Sequence, residues 1–282
     1  MALSRWISKA LLQFQIVSAV ANRELQLRSV RGLFGVAGVF LEPLALILTF
    51  TLLRIFIRSS GGGQYMNPVL WLSLGFVPFF MFSDVAISAL AGVKKGTRLY
   101  FYRRIRPLDT LMGNALLTGQ IFGLLMLLFV LGVAALEWRP IVHDPGALIF
   151  LFVGMGLLGF GVGLSALVIG RRLPLVGWMI KMLLRRILLW TSCVFFSVYT
   201  FPDVFRPWIL WNPVAHGVEL MRSAINPAYP IPGVSAVYFW LWVLSSVGFG
   251  LFVYGNNEEL LFAPEQSLVL DELSQASSEG QS

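Results

Sequence analysis

Between Leu210 and Pro230 the chain reads LWNPVAHGVELMRSAINPAYP, and three of these residues could do chemistry. His216, Glu219 and Arg222 recur at every third position. On a helix that spacing puts an imidazole, a carboxylate and a guanidinium on one side, with Val218, Leu220 and Met221 on the other. Together with Asp203 they could be imagined as an acid–base or metal site. The chain holds only two histidines, His143 and His216. A histidine on an amphipathic helix more often serves as a surface or hydrogen-bonding residue, so no metal and no catalytic group are expected. Prolines bracket the stretch, Pro213 before and Pro227 to Pro232 after. It reads as a short amphipathic helix just outside a membrane, joining the last two spans and acting as the outer gate of a translocation path.

Other charges stand at spacings that ask for an explanation. Trp178, Lys181 and Arg185 lie three and four apart, on one helix face. They can be interfacial anchors with snorkelling tips, or the inner mouth of a conduit for an acidic or phosphate-bearing substrate. The short uncharged run that follows favours the conduit. Glu42 precedes Pro43 inside the first apolar run, where its carboxylate could cap amides freed by a proline kink. With only Asp84, at the end of the second run, as a further candidate, paired intramembrane acids for a proton-driven carrier are lacking. The segment Lys94 to Asp109 is dense in charge and aromatics. A basic anchor needs charge alone, whereas Tyr100, Phe101 and Tyr102 among Arg103, Arg104 and Arg106 suit docking of a cytoplasmic partner. Pro107 and Asp109 read as a stop and an N-cap for the third span. A G-x-G-x-x-G string within Gly154 to Gly163 has no preceding strand and no following acid, so it reads as close helix packing rather than nucleotide binding. No G-x-x-x-x-G-K-[ST] string occurs. ATP, if it drives the process, binds another subunit.

The elements that must position these residues are helices in a bilayer. Of 282 residues 57% are hydrophobic and 12% charged, about half the charge of a soluble domain. The net charge of +7 lies in short clusters between apolar runs, as at a membrane surface and not as in a nucleic-acid binder. Residues 8 to 31 read as an amphipathic interfacial helix. Spans of about 20 residues are expected within Gly32 to Leu53, Ser59 to Ser83, Thr110 to Leu136 and Pro145 to Gly170, and over about 234 to 254. The run Ile187 to Pro202 is too short alone. It must begin earlier and draw Lys181, Arg185 and Arg186 toward the bilayer. The expected fold is therefore an all-α membrane protein with six transmembrane helices. An interfacial segment (1–31), a membrane domain (32–257) and a partly disordered tail (258–282) follow in order. Sixteen of the 21 Lys and Arg residues fall on one side of this arrangement, which puts both termini in the cytoplasm. No signal peptide is apparent, and the single Cys193 cannot form an internal disulfide.

The chain resembles the membrane subunit of capsular polysaccharide ABC exporters. The likeness runs from about Arg23 to Leu261 and rests on Phe40 to Pro43, Leu74 to Ser83, Tyr102 to Thr110, Leu210 to Arg222 and the Pro-x-Tyr at Pro227 to Tyr229. The resemblance implies a homodimeric permease of a bacterial inner membrane, bedded in membrane lipid. It implies two cytoplasmic ATPase subunits that carry ATP and magnesium and dock on Arg23, Glu24, Arg28, Tyr100, Tyr102, Arg103, Arg104 and Arg106. A lipid-linked acidic polysaccharide would pass between the protomers. Trp178, Lys181, Arg185, Phe195, Phe196 and Tyr199 would line that channel, and Trp208, Trp211, His216, Glu219 and Arg222 would close it on the periplasmic side. A periplasmic co-polymerase-type protein and an outer-membrane channel would carry the polymer onward. Exporters of O-antigen or teichoic acid on the same fold remain open as alternatives, as does, at greater distance, a membrane-bound sugar or lipid transferase.

Overall fold

The computed structural model describes residues 15–23, 26, 41, 44–52, 65–91, 107–138 and 141–258. Among them the secondary structure is helical throughout. Expectations for Glu24, Arg28, Glu42, Tyr100, Tyr102, Arg103, Arg104, Arg106 and the tail lie outside these residues.

Among the described residues four helices are long and apolar enough to cross a membrane: α1 (Pro68–Ala91), α2 (Pro107–Glu137), α3 (Pro145–Arg172) and, after the shorter elements below, a final helix Ala236–Gly255. Between the third and the last lie α4 (Pro174–Met182), a π-helical turn Leu183–Ile187, α5 (Leu188–Thr191), a single 3-10 turn Val198–Thr200, α6 (Arg206–Leu210) and α7 (Pro213–Ile225). The last helix is α8. Helical stretches at 15–23 and 44–52 precede them.

Local sequence sets the starts. Pro68, Pro107, Pro145, Pro174 and Pro213 each open a helix. At that position the missing N–H costs nothing and φ is already helical. Side chains cap several of these ends. Asn67 Oδ1 accepts from the Val69 amide at 3.0 Å, and Asp144 Oδ1 accepts from that of Ala147 at 2.9 Å. Asn212 Oδ1 accepts from Val214 at 3.0 Å, and Ser235 Oγ from Tyr238 at 3.3 Å. Asp109 lies in the first turn of α2, not at its cap, because the helix starts at Pro107.

The order across the bundle is α2, α1, α3, α8, with α7 laid against α1, α3 and α8. α3 can sit between two neighbours because its glycines let backbones touch. A side chain at Gly159 would run into the Phe82 carbonyl of α1, and one at Gly161 into the backbone of Ser246 in α8. Gly250 of α8 returns the contact, since a Cβ there would lie 2.5 Å from the Gly161 carbonyl. This close approach accounts for the G-x-G-x-x-G string in packing terms. α1 is the most enclosed span, with Trp71, Phe76, Phe79, Phe80 and Phe82 all buried. α2 and α8 turn Leu124, Leu127, Leu128, Leu244, Phe249 and Phe252 outward. At the other flank, 15–23 lays Val17, Val20 and Ala21 on α2 near Gly113 and Leu117.

Two sequence boundaries need correction. The second span is not Ser59–Ser83. It runs from Pro68 to Ala91 and carries Asp84 inside it, because Asn67 and Pro68 fix the start and Arg185 supplies the carboxylate with a counter-charge. The run Ile187 to Pro202 is not one continuous helix. The helical stretch that begins at Pro174 contains Lys181, Arg185 and Arg186, but it stops at Thr191, and the backbone leaves helical geometry, with Cys193 at φ 56°. Its freed carbonyls find another partner, described below.

Gly159→Val should disrupt the α1–α3 contact and cost on the order of 1–3 kcal/mol or more, whereas Gly156→Ala, whose Cβ meets only Met81 Cε at 3.5 Å, should leave stability nearly unchanged. Thermal unfolding of the two variants in detergent, with matched melting temperatures as the contrary result, checks this.

Candidate functional site

His216, Glu219 and Arg222 do fall on one helix, α7, but that helix is not a surface element with a wet polar face. Ten of its 13 residues are buried, His216, Glu219 and Arg222 among them. The polar side of this amphipathic helix is enclosed, and His216, Glu219 and Arg222 each meet partners inside the fold.

Arg222 is the centre. Its Nη1 donates to Glu219 Oε1 at 2.7 Å and to the Cys193 carbonyl at 2.8 Å. Its Nη2 donates to the Val194 carbonyl at 3.1 Å and, more weakly, to that of Trp71 at 3.4 Å. The guanidinium carbon lies 3.6 Å from the centroid of the Trp71 ring, a cation–π contact on its remaining face. Both charged side chains are wholly shielded from solvent. Gly75 makes the space: a methyl group there would come within 2.9 Å of both Arg222 Nη2 and the Val194 carbonyl.

The chain break after Thr191 and the buried cation explain each other. Where a helix ends inside a bundle its last carbonyls lack amide partners, and leaving them unpaired away from water is costly. Arg222 supplies fixed donors to the Cys193 and Val194 carbonyls of the irregular segment just past the helix end. Its charge in turn needs an anion, which Glu219 provides. Asn212 completes the join. Its Nδ2 donates to the Thr191 carbonyl at 3.2 Å and to Ser192 Oγ at 2.9 Å, while its Oδ1 caps α7.

Glu219 also anchors a chain of hydroxyls. Trp71 Nε1 donates to Tyr229 Oη at 3.2 Å, Tyr229 donates to Ser197 Oγ at 2.5 Å, and Ser197 donates to Glu219 Oε2 at 3.2 Å. Burial pushes the Tyr229 phenol up to about 12, so it stays a neutral donor. Its ring forms a triangle of edge-on contacts with Tyr65 and Tyr199, at centroid distances of 5.8 and 5.7 Å.

His216 is a staple at the start of α7. Nε2 lies 2.7 Å from the Leu210 carbonyl, and Nδ1 accepts from the Ser235 amide at 2.9 Å. A carbonyl can only accept and an amide N–H only donate, so these partners select the neutral Nε2–H tautomer. Burial lowers its pKa from the ordinary histidine value, against the pull of the Leu210 carbonyl. Among the described residues no group of three or more His, Cys, Asp or Glu side chains could hold a metal.

The expected channel residues part company. Trp178 and Lys181 are exposed. Arg185 leaves their line at the π-helical turn and pairs with Asp84 on α1, with its guanidinium 5.3 Å from the Phe80 ring centroid. Phe195 is buried, stacked on Trp190 at 4.6 Å and touching Phe50 at 4.6 Å, so it is a core residue within this chain. Phe196 is half exposed and Tyr199 half buried. Trp208 and Trp211 stand 82% and 77% exposed on and after α6, and Arg23 is exposed on the N-terminal helix. Sequence reasoning missed Asn212, Ser197, Tyr229 and Trp71 as parts of one network. Only Asn212, standing before Pro213, carried a readable cap signal.

No family model matches the chain. Individual proteins do. Polysialic acid transport protein KpsM of Escherichia coli is 30% identical over 246 residues, which cover 87% of this chain and 94% of that protein. Capsule polysaccharide export inner-membrane protein BexB of Haemophilus influenzae is 26% identical over 211 residues, 75% of this chain and 79% of its own. Protein CtrC of the same description from Neisseria meningitidis serogroup B is 25% identical over 250 residues, 88% and 92% respectively.

Removing one partner of the buried pair should be severe. Arg222→Met strips two carbonyls and Glu219 of their donor, and a cost of about 3–5 kcal/mol is expected. Glu219→Gln leaves the carbonyl contacts and should cost less. If thermal unfolding in nanodiscs finds Arg222→Met no less stable than Glu219→Gln, Arg222 is not what holds the break.

Proposed function

On the premise that the chain belongs to the capsule polysaccharide export inner-membrane proteins, permease subunits of ABC transporters, we propose that it moves a lipid-anchored acidic capsular polysaccharide from the cytoplasm to the periplasm. The path lies between two copies of the chain. The observation that carries this reading is the likeness to KpsM over 87% of this chain and 94% of that protein's length.

The chain provides the passage and partners provide the energy. Two cytoplasmic ATPase subunits bind ATP and magnesium and dock on the N-terminal helix and the basic loop, through Arg23, Glu24, Arg28, Tyr100, Tyr102, Arg103, Arg104 and Arg106. The exposure of Arg23 on a helix packed against α2 supports that reading, since movement there would pass directly into a span. Both termini are cytoplasmic, on the strength of the basic bias. The outer end then holds Asn67, Glu137, Asp144 and Ser235, and α7 with the exposed Trp208 and Trp211 forms the periplasmic closure. Trp178 and Lys181 offer the polymer an aromatic face and a cation. Beyond the membrane a periplasmic co-polymerase-type protein and an outer-membrane channel take the polymer on.

Deleting the gene in its host should leave polymer in the cytoplasm and none on the surface, read by fractionation and capsule staining. Absence of all polymer would point instead to a biosynthetic enzyme. Arg103→Glu with Arg104→Glu should lower recovery of the ATPase with the affinity-purified chain and reduce surface polymer in parallel. Export that persists with both charges reversed rules out the docking role.

A further inference from the structure

Asp84 and Arg185 form an ion pair between the apolar helix α1 and the π-helical turn. Asp84 stands sixteen residues along α1 from Pro68 and seven before Ala91, roughly 24 Å from one end of that apolar helix and about 10 Å from the other at ~1.5 Å per residue. Such a pair in a span is a functional candidate by default, because a charge at that depth is costly. Three further observations set it apart from the fully enclosed Glu219–Arg222 pair. Its side chains are 31% and 28% exposed, whereas those of Arg222 and Glu219 are both at 0%. It sits on the π-helical turn Leu183–Ile187, a local geometry that recurs at functional sites. It also lies one and two turns beyond the exposed Lys181 and Trp178, so a partner approaching along that helix meets the Lys181 cation first and Arg185 next.

Two neighbouring contacts tie the turn to α1. Ser83 Oγ donates to the Leu184 carbonyl at 3.3 Å, and Arg185 pairs with Asp84. The Phe80 ring backs the guanidinium. This leaves a carboxylate of the protein on the guanidinium where a planar anion would bind, in a pair that is partly exposed.

We propose that Asp84 is a resident competitor for Arg185, displaced by a carboxylate of the passing polymer, so that the pair is a specificity latch for acidic substrate. This rests on the export reading above. The exchange is one of ionic partners only. The guanidinium keeps its charge throughout, passing from one carboxylate to another, and Asp84 is released to water in the path. An opened pair removes one of the contacts between the π-helical turn and α1, which links the presence of an acid in the path to the position of the helix that carries it. A neutral polymer gains nothing at Arg185 and leaves the latch closed.

The test uses the chain purified with its ATPase partner in nanodiscs. ATPase stimulation is titrated with the host's own capsular polymer, native and carboxyl-reduced. The unaltered complex should respond to the native polymer at lower concentration than to the reduced form. Asp84→Asn removes the competitor, so half-saturation by the native polymer should fall by about tenfold if the pair is closed some nine-tenths of the time. Arg185→Gln should abolish the preference for native over reduced polymer. The exchange Asp84→Arg with Arg185→Asp restores a pair but moves the cation to α1. It should recover the melting temperature lost in either single variant without recovering the preference. If the exchanged pair restores both, the contact is a structural bridge and the latch is wrong. Equal half-saturation for Asp84→Asn and the unaltered complex also overturns the latch while leaving export standing. An unaltered complex that no capsular polymer stimulates overturns the export reading, and the latch with it.

Discussion

The fold turns on a cation placed where water cannot reach it. A helix that stops inside a bundle exposes carbonyls that must be paired, and here one guanidinium reaches two in the segment beyond the stop, those of Cys193 and Val194. Everything near it follows from housing that charge. Glu219 balances it, Gly75 yields the volume, Trp71 offers a ring face, and α7 is drawn in between α1, α3 and α8 instead of lying outside them. The buried pair is thus less a source of stability in itself than the condition for a discontinuous span.

That discontinuity suits a passage. A continuous apolar helix packs well but presents only side chains. A helix that stops at Thr191, turns through an irregular segment and hands over to α6 and α7 places aromatic and polar groups at several heights within a short sequence. The join is stiff at its centre, where Asn212 caps the end of one helix and the start of another. Its margin is open, where Trp208, Trp211 and Phe196 remain exposed.

Much of the architecture was legible because its signals are local. Apolar runs longer than 20 residues located α2, α3 and α8 to within a few positions, and the prolines marked where helices begin. Glycines in α3 could be read as contact points because no nucleotide-binding context surrounded them. What escaped was long range. The sequence places His216, Glu219 and Arg222 on one face, yet whether that face meets water or carbonyls depends on residues such as Cys193 and Trp71, far away in the chain. The second span slipped by about eight residues because Asp84 looks like an end when read alone, and becomes an interior residue only once Arg185 is known to meet it. Tyr229 and Ser197 have no sequence mark that distinguishes them from any other hydroxyls.

The five prolines at helix starts have a consequence for the surrounding lipid. A proline at the first position cannot donate to a further turn, and it biases the residue before it against the helical region, so α1, α2 and α3 cannot grow at those ends. A protein whose spans could extend or fray would meet a thicker or thinner bilayer by changing its helix length. At those three ends that adjustment is closed, and tilting the spans or deforming the bilayer takes its place in accommodating hydrophobic mismatch. The outward leucines and phenylalanines of α2 and α8 are the surfaces on which that mismatch acts, and bilayer thickness becomes a mechanical load felt at the contacts between α1, α3 and α8.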